Sequence, residues 1–271
     1  MENFSQMRPV DPTRTPAGYI GGKRNLAKRI TTLIETVPHI TYAEAFVGMG
    51  GIFFRRRQAP RAEVINDYSG EVANLFRILQ RHYPQFMDTL RFQLSGRREF
   101  ERLKSTDPST LTDLERAGRF LYLQRLAFGG KVAGRNFGVS LRESSGFNLT
   151  TLAPLLDDIH HRLTGVTIEN LPWQAFLQRY DRPETLFYLD PPYWGSEADY
   201  GAGMFGREEF KQMAKALAEL RGRFILSIND RPEIRALFSD FNLEPVELTY
   251  TIAGGPNAKS AKELIITGNL G

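Results

Sequence analysis

Short apolar runs alternate with stretches of helical spacing through most of this chain, and that alternation limits its fold more than any other feature. Asn25 to Glu35 (NLAKRITTLIE) puts Leu26, Ile30, Leu33 and Ile34 on one face of a helix. Thr41 to Phe46 reads as a strand; Gly48, Gly50 and Gly51 follow, and Ile52 to Arg57 resumes in helical fashion. Ala62 to Asn66 is a second strand closed by Asp67, and Glu71 to Arg81 a helix with Val72, Leu75, Phe76 and Leu79 as its core face. After Asn148 the pattern returns. Helices at Leu152 to Leu163, Trp173 to Arg179, Arg207 to Leu220 and Arg231 to Phe238 are interleaved with strands at Val166 to Glu169, Thr185 to Leu189 and Arg223 to Ile228. Strands spaced by helices predict a mainly parallel, doubly wound α/β sheet covered on both faces. Val246 to Ile252 and Glu263 to Thr267 have only a loop between them, which predicts an antiparallel terminal hairpin at one edge.

Between His82 and Asn148 the rhythm stops. Helical stretches at Arg97 to Lys104 and Leu114 to Leu126 precede a Gly-rich basic stretch, Phe128 to Phe147. We read residues 82–148 as an inserted, mostly helical lobe, and 1–81 with 149–271 as the main domain. A chain of 271 residues with 41% hydrophobic content can build one sizeable core with such a lobe. Cys is absent, which excludes disulfides, thiolate metal sites and a thiol nucleophile. Four His (39, 82, 160 and 161) are a poor set for zinc, and no metal is expected. No apolar run approaches membrane-spanning length. Met1 to Pro16 is polar and Pro-rich with no hydrophobic signal core; it reads as a loose arm on a cytoplasmic protein. The net charge of +4 leans toward a polyanionic partner, though many small enzymes are equally basic.

The sharpest local signal is Asp190-Pro191-Pro192-Tyr193, directly after the apolar strand Leu186-Phe187-Tyr188-Leu189. In an open α/β sheet, ligands bind beyond the carboxyl ends of the strands. Asp190 offers a carboxylate acceptor. The prolines stiffen the turn and donate no N–H, so the Pro191 carbonyl remains as a second acceptor. Two acceptors suit an NH₂ group, and accepting from both N–H bonds localises the nitrogen lone pair. Tyr193 adds a π-face for a flat base. A bland alternative, a strand-ending turn with a helix-capping acid, leaves the Pro-Pro-aromatic run without a use. A second signal is Glu44-Ala45-Phe46-Val47-Gly48-Met49-Gly50-Gly51, where glycines between strand and helix let a ligand approach the backbone. Asp67 ends the next strand, where an acid can bind ribose hydroxyls. A dinucleotide-binding oxidoreductase would fit this second motif equally well. The third signal is Tyr19-Ile20-Gly21-Gly22-Lys23, in which Lys23 either neutralises a ligand carboxylate or is simply solvated.

Taken together, in this order and with the insert between them, the three motifs resemble the Dam-type (D12 class) DNA adenine methyltransferases. The resemblance runs from about Tyr19 to Thr267 and extends into the insert at Gly118 to Arg125 (GRFLYLQR). It departs at Gly129 to Val139 (GGKVAGRNFGV), so the enzyme class carries over better than the DNA sequence read. It implies a methyltransferase (Rossmann-like) sheet and an enzyme that moves a methyl group from S-adenosylmethionine to the exocyclic amine of adenine in double-stranded DNA. The base would be flipped from the duplex. It further implies that Tyr19, Lys23, Asp67 and Asp190 contact the cofactor, that the turn containing Phe46, Gly48 and Gly50 lies under its methionine part, and that Asn170 sits near its adenine. Asp190, Pro191, Pro192 and Tyr193 would hold the target base.

For DNA the candidates are Arg119, Arg125, Lys131, Arg135, Asn136 and Arg142, interleaved with Phe120, Tyr122, Phe128, Phe137 and Phe147. Phe120 and Tyr122 are better read as core. Glycines at 129, 130, 134, 138 and 146 suggest a loop entering a groove, with Arg135 near its tip as a base reader and Lys131 and Arg142 as phosphate contacts. Two other loops invite roles. Trp194 to Gly206 could close over the base, and Gly254 to Lys262 carries Lys259 and Lys262 as phosphate contacts. The same motif chemistry would serve the exocyclic amine of cytosine, or RNA. A catalytically silent DNA-binding module is the rival from another class.

Overall fold

The computed structural model describes residues 7–19, 26–132, 134–138, 144–196, 205–251 and 258–270. A seven-stranded sheet forms its centre. It is built from β2 (Thr41–Glu44), β4 (Ala62–Asn66), β5 (Thr167–Glu169), β6 (Thr185–Leu189), β7 (Arg223–Asn229), β8 (Asn242–Thr251) and β9 (Ala258–Gly268). The spatial order is β5-β4-β2-β6-β7-β9-β8. The first five strands are parallel; β9 runs antiparallel between β7 and β8. The order in which successive strands are added reverses at the boundary between the parallel strands β2 and β6, with Glu44 in register with Tyr188. Such a switch point opens a crevice beyond the carboxyl ends of the two strands.

Both faces of the sheet are covered, which is why β6 (TLFYL) is buried at every residue instead of alternating. One face carries Tyr42, Ile65, Leu186, Tyr188, Ile225 and Ile265. It packs on α1 (Ala27–Thr36), α2 (Gly70–Arg81) and α6 (Leu149–Leu163). The other carries Ala43, Val64, Phe187, Leu189, Leu226 and Ile266. It packs on α7 (Trp173–Tyr180), α8 (Arg207–Ala218) and α9 (Pro232–Leu237). The interrupted segment holds α3 (Tyr83–Leu90), α4 (Arg97–Ser105) and α5 (Asp113–Leu126). Its buried side chains, among them Phe86, Phe100, Tyr122 and Phe147, belong to the same apolar cluster as Ile30, Ile65 and Tyr188. Helix α5 begins at a capping box: the Thr112 hydroxyl accepts from the Glu115 N–H and the Glu115 carboxylate accepts from the Thr112 N–H.

Several expectations from the sequence are corrected. Ile52 to Arg57 makes only a 3₁₀ turn at Phe53–Arg55, because the chain must turn out at once into the short strand β3 (Gln58–Ala59). The N-terminal arm is docked over residues 8–17. β1 (Arg8–Pro9) pairs with β3, the Val10 and Thr13 N–H groups donate to the Arg57 and Phe54 carbonyls, and Ala17 is buried. Lys259 and Lys262 lie within β9 rather than on a loop, since the terminal hairpin pairs as far as Thr251 with Ala258. Most of the Trp194 to Gly206 loop, at 197–204, and residues 252–257 fall outside the described residues. Among the described residues no helix is long and apolar enough to cross a membrane.

Candidate active site

The site begins with the turn that leaves β2. Gly48 and Gly50 have φ of +50° and +75°, a left-handed conformation that side chains resist. A Cβ on Gly50 would stand 2.3 Å from the Phe54 ring, and one on Gly48 would stand 3.0 Å from the Tyr19 ring. Tyr19 therefore packs directly against the turn. Asp67, at the end of β4, accepts from the Gly48 N–H at 2.8 Å and the Ser69 N–H at 2.9 Å. Burial nevertheless pushes its carboxyl up to about 6, because desolvation outweighs those two bonds. Asn170 closes this side: its Nδ2 donates to the carbonyls of Asp67 (2.7 Å) and Tyr68 (3.0 Å).

Asp190 emerges at the adjacent strand end, on the face shared by Glu44, Tyr188 and Ser227. The Ser227 Oγ lies 3.4 Å from Asp190 Oδ1 and 2.7 Å from the Tyr188 hydroxyl. Pro191 and Pro192 are buried and Tyr193 half-buried. The turn is held from two directions. Asn229, at the end of β7, accepts from the Trp194 N–H and donates to the Trp194 carbonyl, both at 3.0 Å. The Tyr193 hydroxyl donates to Glu263 Oε1 on β9 at 2.6 Å. Glu44 completes the row of acids. It is 1% exposed and accepts from the Tyr42 hydroxyl at 2.6 Å. Burial pushes its carboxyl up to about 8, and the charge of Asp190 adds to the rise.

The structure thus brings Tyr19, Phe46, Gly48, Gly50, Asp67, Asn170 and Asp190 to the carboxyl ends of β2, β4, β5 and β6. Phe46 lies edge-on to Phe205 there. Lys23 and Arg142 lie outside the described residues. The donor set fits the cofactor that the resemblance implies. Partly exposed carboxylates face a ligand with cationic sulfonium and ammonium groups, and the bare glycine backbone admits it closely. Among the described residues no group of His, Asp and Glu could hold a metal ion.

The basic insert arranges itself differently from the loop-tip expectation. The Arg135 guanidinium folds back onto the lobe. It donates to Gln124 Oε1 at 3.0 Å, lies 5.4 Å from the Phe120 ring centroid, and burial lowers its pKa. Packing against an aromatic core outweighs projection into solvent for this cation. Arg119 donates to the Leu103 and Lys104 carbonyls at the end of α4. Arg125 spans from the Gly146 carbonyl to the Pro16 carbonyl. Arg119 thereby serves carbonyls that the end of α4 leaves without helical partners. Lys131 and Asn136 are exposed, as is Lys262, which approaches Glu247 at 3.8 Å. Lys259 is described by its backbone alone. Phe120 and Tyr122 are core.

Sequence reasoning assigned no role to Glu44, Asn66, Ser227, Asn229 or Glu263. Asn66 is buried; its Nδ2 donates to the Ala45 and Leu171 carbonyls and its Oδ1 accepts from the Leu171 N–H, stitching three strand ends. A signal was present: Ile65-Asn66-Asp67 and Ile228-Asn229-Asp230 repeat one tripeptide at two strand ends, and Glu263 is an acid opening an apolar run.

The D12 class N6 adenine-specific DNA methyltransferase family matches residues 19–252. The type II methyltransferase M1.LlaDCHI of Lactococcus lactis subsp. cremoris is 27% identical over 272 residues, covering 93% of this chain and 94% of that protein. The type II methyltransferase M.CviBI of Paramecium bursaria Chlorella virus NC1A is 23% identical over 236 residues, covering 86% and 89%. Among solved structures, a precorrin-8w decarboxylase from Methanobacterium thermoautotrophicum aligns at a TM-score of 0.42 and 14% identity, over 97% of this chain and 100% of that one. The family match closes the choice left open between the adenine and cytosine amines. The chain belongs to the D12 class N6 adenine-specific DNA methyltransferases, and it transfers a methyl group from S-adenosylmethionine to the N6 amine of adenine in DNA.

Proposed function

We propose that the enzyme is a cytoplasmic, site-specific methyltransferase that modifies adenine after flipping it from the duplex into the crevice beside Asp190. The name type II methyltransferase borne by its relatives fits a role that marks one short DNA sequence. The amine of adenine is base-paired in duplex DNA, so it must leave the stack to reach a turn at the bottom of a crevice. Asp190 and the Pro191 carbonyl accept the two amine N–H bonds and direct the nitrogen lone pair. Tyr193 stacks on the base, with its ring held through the hydroxyl bonded to Glu263. Tyr19, Asp67, Asn170 and the glycine turn hold the cofactor, with Lys23 as a further candidate. When bound, S-adenosylmethionine supplies a methyl group already activated by its sulfonium. The chain's contribution is therefore positioning, and the amine proton leaves to solvent. The lobe over residues 82–148 reads the DNA, with Lys131 and Asn136 as its exposed polar candidates.

The observation that carries this reading is the anchored turn. Asp190 stands at the switch point of the sheet, and Asn229 and Glu263 hold the residues after it. The test is methyl transfer from tritiated cofactor to DNA, with modified bases mapped on DNA from expressing cells. Asp190→Ala should abolish transfer and leave cofactor-free unfolding unchanged. Activity within about tenfold of the parent, roughly 1.4 kcal/mol of barrier, would remove Asp190 from the chemistry.

A further inference from the structure

The loop between α3 and α4, Arg91-Phe92-Gln93-Leu94-Ser95-Gly96, and the start of α4 were given no role by the motifs. In a molecule whose other large apolar side chains are mostly buried, Phe92 is 84% exposed and Leu94 77% exposed. Arg91, Arg97 and Arg98 flank them in the sequence, all exposed, and none meets a carboxylate among the described residues. Arg91 lies over the Phe92 ring at 5.6 Å and Arg97 over Phe137 at 5.1 Å.

The location is fixed by a chain of contacts. The Tyr122 hydroxyl donates to the Leu94 carbonyl at 2.8 Å, and the Ser95 hydroxyl donates to the Phe147 carbonyl at 2.8 Å. One partner is in the last turns of α5 and the other closes the Gly-rich stretch. Two residues farther along α5, and so on the opposite side of the helix, Gln124 donates to the Gly18 carbonyl at 2.8 Å and to the Gly130 carbonyl at 2.7 Å. Tyr19 follows Gly18 and packs on the Gly48 turn. The loop, both ends of the Gly-rich stretch and Gly18 are therefore all tied to the last turns of α5, the loop on one side of the helix and Gly18 on the other.

We infer that the α3–α4 loop is a second DNA contact of the recognition lobe. Arg91 and Arg98 engage phosphates, and Phe92 and Leu94 press as an apolar wedge against sugars and bases. The inference rests on duplex DNA being the substrate. Exposed cations beside exposed apolar side chains match a polyanion with apolar base faces, and DNA-bending proteins use Phe and Leu in this way. The position also answers a difficulty within the lobe: Arg119, Arg125 and Arg135 are occupied internally, whereas Arg91 and Arg98, like Lys131, are exposed cations among the described residues.

The test measures binding of a short fluorescein-labelled duplex of mixed sequence by anisotropy across a salt series, with cofactor affinity by calorimetry using S-adenosylhomocysteine. Arg91→Gln with Arg98→Gln should flatten the log–log salt dependence by roughly two units and weaken binding about tenfold or more at moderate salt. Phe92→Ala with Leu94→Ala should weaken binding by about fivefold or more with the salt dependence unchanged. Arg97 is left intact because it also packs on Phe137. Cofactor affinity should stay at the parent value in both double variants. If both bind the duplex as the parent does, with the parent's salt dependence, the inference is overturned and the loop is a solvated tip or a protein-docking surface. If the parent itself neither binds nor methylates duplex DNA, the substrate reading fails first, and the inference with it.

Discussion

Glu44 and Tyr193 show how single side chains set the terms of this site. The Glu44 carboxyl is buried with Tyr42 as its donor and is raised from 4.5 to about 8, mainly by desolvation. A carboxyl whose folded value lies above its unfolded value contributes stability that is complete below pH 4.5 and is lost as pH rises through about 8. Glu44→Gln keeps an acceptor for Tyr42 and removes the ionisation. Urea unfolding of the cofactor-free protein should therefore show the variant gaining on the parent from acid toward pH 9, by on the order of a few kcal/mol. A difference that stays constant with pH would mean that Glu44 is already ionised at neutrality. Tyr193→Phe keeps the ring and removes its bond to the buried Glu263. If that bond sets the ring for stacking, kcat for DNA methylation should fall roughly tenfold or more, since hydrogen bonds to charged groups contribute about 1.5–3 kcal/mol. Affinity for S-adenosylhomocysteine should not move, and kcat within about twofold of the parent would relieve Tyr193 of that dependence.

At the scale of elements, the arginines of α5 act as fasteners. Arg119 secures the end of α4, and Arg125 ties the docked N-terminal arm to the chain after the Gly-rich stretch. Arg125→Ala should lower stability to urea by about 1–3 kcal/mol, because it deprives two carbonyls of a charged donor. Its DNA salt dependence should match the parent's. A salt dependence reduced by roughly one unit at unchanged stability would instead make Arg125 a phosphate contact. The same reasoning shows what a basic stretch leaves open as a linear signal. Charge is legible in sequence, but whether a guanidinium points at solvent or at a neighbouring helix end is set by packing.

For the whole molecule, the apolar cluster on one sheet face runs without a break into the inserted helices, from Tyr188 and Ile65 through Leu75 and Leu79 to Phe86, Phe100 and Tyr122. A lobe that shares its core with the sheet has little independent stability. The protein should unfold in a single calorimetric transition, and residues 82–148 expressed alone should show no cooperative melting. Two resolved transitions, or a cooperatively folded fragment, would establish the lobe as an autonomous unit. The far end of the sheet adds to this unity: Arg56 and Arg162 both donate to Glu63, joining α6 to β4 and the turn beyond Phe53.

The seven strands of the main sheet, most helices, the glycine turn and the Asp190 turn were legible in the sequence because each is local. Period, turn residues and strand-end acids act over a few neighbours, and each pointed to the same fold. Tertiary structure alone decided the rest. The interior position of β9 brings Glu263 to Tyr193, and the register of β2 with β6 places Glu44 beside the Asp190 strand end. Docking of residues 8–17 and the inward turn of Arg135 depend on partners more than ten residues away. The physical reason is that sequence specifies which groups must be buried or paired, whereas their partners are chosen by chain segments that meet only after the sheet has closed its order.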